Sequence, residues 1–220
     1  MTDDGGMNAQ RLAAAAEAII AGGRRLGARG LIVAGEGNLS VRVGDHLLVT
    51  PTGLRKDELT PDDLLLVSAD PDAPALDPDR PDLRPTSDLR IHRAVHAARP
   101  DIGAVAHAHL ASSLALTLAG RVPDPAVLPE TRLLLPRLPY VRQREMGSPE
   151  LARAIAESLA DGQAPEANAV LLERHGAVAV GEDVTTAVNR LELVELLCRV
   201  WGDAVRLGFD GRSVEGPGAR

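Results

Sequence analysis

Aromatic side chains are almost missing from this chain: Trp201, Tyr140 and Phe209 are the single copies of their kinds. A nucleic-acid surface built on base stacking needs several exposed rings, so that class is excluded. Cysteine is limited to Cys198, which has no partner within the chain; its place in a helical pattern reads as core packing and rules out a disulfide framework. Lysine is limited to Lys56, which falls in a polar hairpin extension with no sign of burial and is no candidate for a Schiff-base residue. Positive charge is also in deficit, with 24 Lys and Arg against 31 Asp and Glu and a formal net charge of -7. That balance argues against a polyanion-binding surface but leaves room for a local anion site made of backbone amides and a few arginines. No apolar run is long enough to span a bilayer. The segment from Met1 to Met7 carries acidic residues where a signal peptide would carry lysines. The expectation is a cytoplasmic protein that partners neither nucleic acid nor membrane.

What is present is a chain of 220 residues, 45% apolar, in which Ala, Leu and Val carry the core. One domain over 1–220 is expected, with its body at about 8–208 and a loose tail at 209–220. Apolar residues at helical spacing predict an opening helix over 8–26. Period-two alternation over 39–43 and 46–50, around Gly44-Asp45, predicts a β-hairpin, and 64–68 reads as a further strand. The Pro- and Asp-rich stretch 70–84 has no period and reads as a surface loop. Thr86 or Ser87 caps a helix running to about Ala98. A buried strand over 102–109 and a helix over 111–118 follow. Ser148-Pro149-Glu150 opens another helix, strands at 169–172 and 177–180 pair around His175-Gly176, and a long helix covers 184–207. Strands interleaved with helices imply an α/β layered domain around a central sheet.

Six histidines are present, and two stand as His107-x-His109. On a strand, residues i and i+2 project from one face, so both rings can reach one ion; the alternative is a half-buried strand with two hydrogen-bonded histidines. His175 lies before Gly176, where a tight turn can aim a ring inward. Three neutral imidazoles would leave a coordination position open for substrate, the mark of catalytic rather than structural zinc. His92 and His96, at i and i+4, form a rival pair without the acidic neighbour of His-Glu-x-x-His; packing or capping is their other reading. His46 reads as structural.

Three short segments rich in Gly, Ser, Thr and Asn precede these histidines: Gly35-Glu36-Gly37-Asn38-Leu39-Ser40, Thr50-Pro51-Thr52-Gly53 and Pro85-Thr86-Ser87-Asp88. Each offers hydroxyls, an amide or backbone N–H groups, and the last opens a helix, where the dipole favours phosphate. They read either as a joint phosphate cradle or as ordinary turns and caps. Asp88 reads as a general acid/base beside the metal, as a fourth ligand, or as a carboxylate favouring the dipole.

Taken in order, Gly37-Asn38-x-Ser40, Thr50-Pro51-Thr52-Gly53, Pro85-Thr86-Ser87-Asp88, His107-x-His109 and Arg174-His175-Gly176 resemble the class II aldolase/adducin family. The resemblance implies a three-layer αβα domain with a mostly antiparallel sheet, and a homotetramer with active sites at subunit interfaces. It further implies Zn²⁺, with Mn²⁺ or Co²⁺ as alternatives, held by His107, His109 and His175. Asn38, Thr52, Gly53, Thr86 and Ser87 are implied to surround a phosphate. Asp88 then stands where the family's aldolases carry a catalytic Glu and its 4-epimerases an Asp, and Glu130 lies near the segment where its dehydratases carry theirs. The expected activity is metal-dependent retro-aldol cleavage of a ketose 1-phosphate to dihydroxyacetone phosphate and an aldehyde, with Asp88 shuttling the proton. Pentulose-phosphate 4-epimerase and methylthioribulose-1-phosphate dehydratase are the alternatives within the family. A non-catalytic adducin-like scaffold is the alternative outside catalysis.

Overall fold

The computed structural model describes residues 4–75 and 80–210; the tail expected to be loose falls outside them from residue 211. The elements follow in chain order as α1 (Asp4–Ala28), β1 (Asn38–Val43), β2 (His46–Val49), β3 (Leu65–Ser68), α2 (Leu89–Ala98), β4 (Ala104–Ala108), α3 (Ala111–Leu118), α4 (Pro129–Leu134), β5 (Tyr140–Val141), α5 (Pro149–Leu159), β6 (Ala169–Leu172), β7 (Gly176–Gly181) and α6 (Val184–Arg206). The seven strands form one sheet in the order β3-β2-β1-β4-β7-β6-β5. Every neighbouring pair is antiparallel except β5 with β6.

Alternation along the central strands separates the two faces. Ala104, Ala106, Ala108, Ala177, Ala179, Ala169 and Leu171 pack into one cluster with α1, α3 and α6. Val105, Val178, Val180, Val170 and Leu172 pack on the other side with α2 and α5. The mostly alanine face lets the long α6 lie close to the sheet, while valine fills the side where α2 and α5 stand. The layers are therefore helix, sheet, helix. Period two puts His107 on the Val105 side, toward α2.

One local signal that predicted a helix acts as expected. Ser148 caps α5, its Oγ accepting from the Leu151 N–H at 3.1 Å, a bond of about 1 kcal/mol. A second cap, not anticipated from the sequence, is Asp183, which caps α6 through the Thr186 N–H at 2.7 Å. The third cap differs from expectation: α2 begins at Leu89 with Asp88 in the cap position and no side-chain cap bond. Thr86 Oγ1 accepts only from the Asp88 N–H, at 3.2 Å, which closes a turn before the helix. The short α4 and β5 were not expected, and no helix among the described residues is long and apolar enough to cross a membrane.

Cys198 lies on the sheet side of α6, 1% exposed, and burial first, with Glu195 adding, pushes its thiol up to about 12. Thiolate is the reactive form, so a disulfide-exchange reagent should leave the native chain unmodified and label one thiol after unfolding in denaturant. Stoichiometric labelling of the native protein within minutes would contradict this packing.

Candidate metal centre

His107 sits in the centre of the sheet, its position on β4 flanked by Asn38 on β1 and Val178 on β7. His109 follows just beyond the end of β4, and His175 occupies the turn from β6 into β7. Gly176 has φ +101°, and a Cβ there would lie 2.1 Å from the Ala108 carbonyl oxygen. Only glycine lets that turn press against the end of β4, and this close approach delivers His175 to the other two rings. The ring centroids of His107, His109 and His175 are 5.0, 4.8 and 4.9 Å apart, with interplanar angles of 64°, 65° and 62°. The three rings make a near-equilateral propeller, and one nitrogen from each lies within 4.8 Å of the others.

Contacts on the outside of the triangle orient two of the three rings. His107 Nδ1–H donates to the Ala177 carbonyl at 2.9 Å, which leaves Nε2 with the lone pair. His109 Nδ1 stands 3.0 Å from Glu36 Oε2, so its Nε2 is also turned away from the partner. Nε2 of His107 and of His175 are buried and have no hydrogen-bond partner. Burial is the chief cause that pushes His107 down to about 3, against an opposing pull from Asp88. Burial first and His109 next lower His175 as well. The outcome is that His107 and His175 are held neutral. The two buried lone pairs without donors, on His107 and His175, are costly, and a divalent cation shared with the half-buried His109 would satisfy both. The residues present fit such an ion.

Beside the triangle, Asp88 is 4% exposed, with Oδ2 3.9 Å from His107 Nε2. Burial opposes its charge, but His107, the Asn38 hydrogen bond and His92 together outweigh it, and its pKa is lowered. Asn38 Nδ2 donates to Asp88 Oδ2 at 2.9 Å, while Oδ1 has no partner. From Asn38 a buried chain runs inward: His92 Nε2 is 2.6 Å from Asn38 Oδ1, His92 Nδ1 is 2.7 Å from Ser40 Oγ, and Ser40 Oγ is 3.0 Å from His96 Nε2. An amide oxygen only accepts, so His92 donates from Nε2 and its Nδ1 accepts from the Ser40 hydroxyl. Ser40 Oγ then accepts from His96. The i, i+4 pair is thus a hydrogen-bonded support behind Asp88, and of its two readings the structure favours packing.

The three turns meet. Pro51 and Pro85 form a β-bridge, Thr52 N–H donates to the Arg84 carbonyl at 3.0 Å, and Thr86 N–H donates to the Thr50 carbonyl at 3.0 Å. A Cβ on Gly35 would meet Gly53 O at 3.0 Å, which sets the first turn edge to edge with the second. Thr52, Gly53 and Ser87 are exposed, whereas Asn38 and Thr86 are buried. No hydrogen bond among the described residues engages the N–H of Gly53 or Ser87.

One expectation is overturned outright. Lys56 is 2% exposed, because its side chain turns inward to the Gly35 and Leu54 carbonyls while its neighbours Leu54, Arg55 and Glu58 stay exposed. Glu130 is exposed in the first turn of α4 and belongs to no metal-binding group among the described residues. Sequence reasoning missed Glu36 as a partner of His109; an acidic residue inside a Gly-rich turn was the signal available.

A helix–sheet–helix fold with three histidines converging at the end of its central strands defines an α/β protein with a cluster that could hold a metal ion. Residues 17–201 match the family described as Class II Aldolase and Adducin N-terminal domain, and the chain belongs to that family. It is 35% identical to a methylthioribulose-1-phosphate dehydratase of Acidiphilium cryptum, over 84% of this chain and 89% of that one. It is 32% identical to a 5-methylthioribulose-1-phosphate/5-deoxyribulose-1-phosphate aldolase of Rhodospirillum rubrum, over 83% of this chain and 78% of that one. Among solved structures, l-fuculose-1-phosphate aldolase from Thermus thermophilus superposes with a TM-score of 0.76 at 28% identity, over 90% of this chain and 97% of that one.

Two expectations follow for the metal and for the buried pair. His109→Ala should lose the metal with the fold retained, and Glu36→Gln, which removes the charged partner of the ring, should weaken metal affinity by about 10- to 100-fold. A competitive chelator titration read by circular dichroism and metal content checks both; unchanged metal affinity in either variant would refute the arrangement.

Burial is the leading cause lowering His92 to about 4 and His96 to about 3, below the unfolded value of about 6.5. The unfolded chain therefore binds more protons below that value, so the stability these residues contribute is complete above pH of about 6.5. It is lost as pH falls toward the folded values, at up to about 1.4 kcal/mol per pH unit for each ring. Urea midpoints of metal-free protein at pH 7 and pH 5 should differ accordingly, and His96→Gln should flatten the fall. Equal slopes in the two proteins would show that His96 is not held neutral.

Proposed function

We propose that the chain is a zinc-dependent aldolase that reversibly cleaves a ketose 1-phosphate into dihydroxyacetone phosphate and an aldehyde, and that Mn²⁺ or Co²⁺ can replace the zinc. The observation that carries this reading is the juxtaposition of the imidazole triangle with Asp88, a buried carboxylate that keeps one oxygen, Oδ1, without a partner. Relatives named as aldolases of methylthioribulose, deoxyribulose and fuculose phosphates support it.

His107, His109 and His175 would hold the ion, which when bound supplies Lewis-acid polarisation of the substrate carbonyl. Asn38, Thr52, Gly53, Thr86 and Ser87 seat the phosphate through N–H, amide and hydroxyl donors, and that anchor fixes the reacting carbons beside Asp88. Cleavage breaks the C3–C4 bond. C4 becomes the aldehyde carbon as its hydroxyl gives up a proton, and the electron pair of the broken bond passes to the C2–C3 fragment. Asp88 Oδ1 takes that proton and returns it at C3, which completes dihydroxyacetone phosphate. Asn38 holds Oδ2 throughout by its 2.9 Å hydrogen bond, so a single oxygen does the proton transfer.

The second reading is the dehydratase, favoured by the 35% identical relative of that name. There Asp88 would remove a carbon-bound proton and water would leave. The 4-epimerase is a third, through the Asp at this position. The chain is proposed to work in the cytoplasm as a homotetramer with active sites at subunit interfaces. Exposed apolar residues on α4 and at the end of α6 support such assembly, with Leu133 77% and Leu207 89% exposed.

A panel of ketose 1-phosphates with a coupled assay for dihydroxyacetone phosphate separates these readings, because neither dehydratase nor epimerase releases it. Asp88→Asn should lower turnover by about 10² to 10⁴ with metal content unchanged. Absence of dihydroxyacetone phosphate from every substrate with every metal would end the aldolase reading.

A further inference from the structure

Lys56 is the chain's sole lysine, and its side chain is buried beneath the turns assigned to phosphate. Its ammonium Nζ donates to the Gly35 carbonyl at 2.7 Å and to the Leu54 carbonyl at 2.6 Å. These acceptors belong to different turns: one opens the segment leading to Asn38, the other follows Gly53. The turns already lie edge to edge at Gly35 and Gly53, so the ammonium is tied across the seam between them.

Two carbonyls satisfy hydrogen bonds but neutralise no charge. The acidic residues beside Lys56 in sequence are engaged elsewhere: Asp57 and Glu58 pair with Arg55 at 2.7 and 2.8 Å. Glu36 is turned to His109 and to the Val33 N–H. No carboxylate among the described residues forms an ion pair with Lys56, and desolvation alone lowers its pKa. Natural proteins seldom bury an ammonium without a counter-charge. An anion arriving at the mouth of the same turns supplies one.

We propose that Lys56 is a positioning residue of the phosphate cradle: it clamps the Gly35 and Leu54 turns together and provides the fixed positive charge that the substrate's phosphate dianion compensates. The inference rests on the reading of these turns as a phosphate site. Lys56 works through the turns, and its Nζ, held by two carbonyls and shielded from solvent, is not placed to attack a carbonyl carbon.

Because Lys56 is the only lysine, protein grown on lysine carrying ¹⁵N at Nζ gives a single side-chain signal that needs no assignment. Inorganic phosphate is titrated into metal-loaded and metal-free protein, with chloride at matched ionic strength as control. The thermal midpoint and the lysine signal are followed together. The expected result is a saturable rise in midpoint and a signal shift with the same half-point in both preparations. If phosphate stabilises the protein while the lysine signal stays still, the proposal is overturned and the cradle stands. If phosphate raises the midpoint of neither preparation, the cradle reading falls and this inference with it.

Two variants provide an independent arm. Lys56→Gln keeps amide donors for the carbonyls without the charge, and Lys56→Met removes both. Each should weaken phosphate at least tenfold and raise KM for a phosphorylated substrate by a similar factor with kcat little changed, and Lys56→Arg should recover part of the loss. Wild-type phosphate affinity in a folded Lys56→Gln protein would overturn the charge role. Should the variants fail to fold, the labelled wild-type chain still decides.

Discussion

Three imidazole rings share one ion only when each presents a lone pair to the same point, and that condition governs the rest of this structure. A free imidazole can carry its proton on either nitrogen, so the arrangement needs something outside the triangle to choose. The Ala177 carbonyl chooses for His107 at 2.9 Å, and the Glu36 carboxylate stands 3.0 Å from Nδ1 of His109. The first of these partners is a backbone group of β7, fixed by the pairing of His107 with Val178. The geometry of the site is therefore a consequence of strand register. A slip of one residue between β4 and β7 would turn His107 into the alanine face against α6 and dissolve the site together with the packing.

Burial works on the same residues in two directions. It keeps His107 and His175 neutral, as metal ligation would require, and it penalises the charge that Asp88 would need for proton transfer. The structure resolves the conflict by satisfying Asp88 with a neutral amide, and by fixing that amide through His92, Ser40 and His96 in turn. Only one proton arrangement of neutral rings serves the links from Asn38 to His96 Nε2, because Asn38 Oδ1 can only accept. Buried polar networks are tolerable when every member has a partner. The orphans His107 Nε2, His175 Nε2 and Asp88 Oδ1 sit where an ion and a substrate would supply partners, whereas His96 Nδ1, at the inner end of the chain, is left without one.

Much of this was legible in the chain because the signals were local. Period two announced β1 and β2, a Ser-Pro pair announced α5, and a glycine after His175 announced a turn tight enough to aim a ring. What sequence reasoning lost depends on distant contacts. Lys56 looked exposed because its neighbours Arg55, Asp57 and Glu58 are polar; those three pair among themselves while the lysine turns inward to a carbonyl 21 residues away in sequence. Asp88 looked like a helix-start carboxylate, and it does stand at the start of α2, but a residue 50 positions earlier draws its side chain off the helix end. The short α4 carries too few residues for any period to show, and β5 exists only through its pairing with β6.

Backbone strain marks the same places. Two non-glycine residues among those described have positive φ, Ala34 at 50° and Arg174 at 57°, a conformation costing roughly 1–2 kcal/mol for a residue with a Cβ. Ala34 leads directly into the turn that carries Glu36 and Asn38, and Arg174 stands immediately before His175. Neither has the Asn, Asp or Gly identity that would make the conformation cheap, so surrounding contacts must hold it. At Arg174 the hold is visible, since its N–H donates to Thr117 Oγ1 at 3.1 Å, and that hydroxyl is itself bonded to the Ser113 carbonyl of α3 at 2.9 Å. Strain confined to the two turns that deliver Glu36 and His175, and countered by a buried threonine on a third element, is what a fold accepts when ring placement matters more than local comfort.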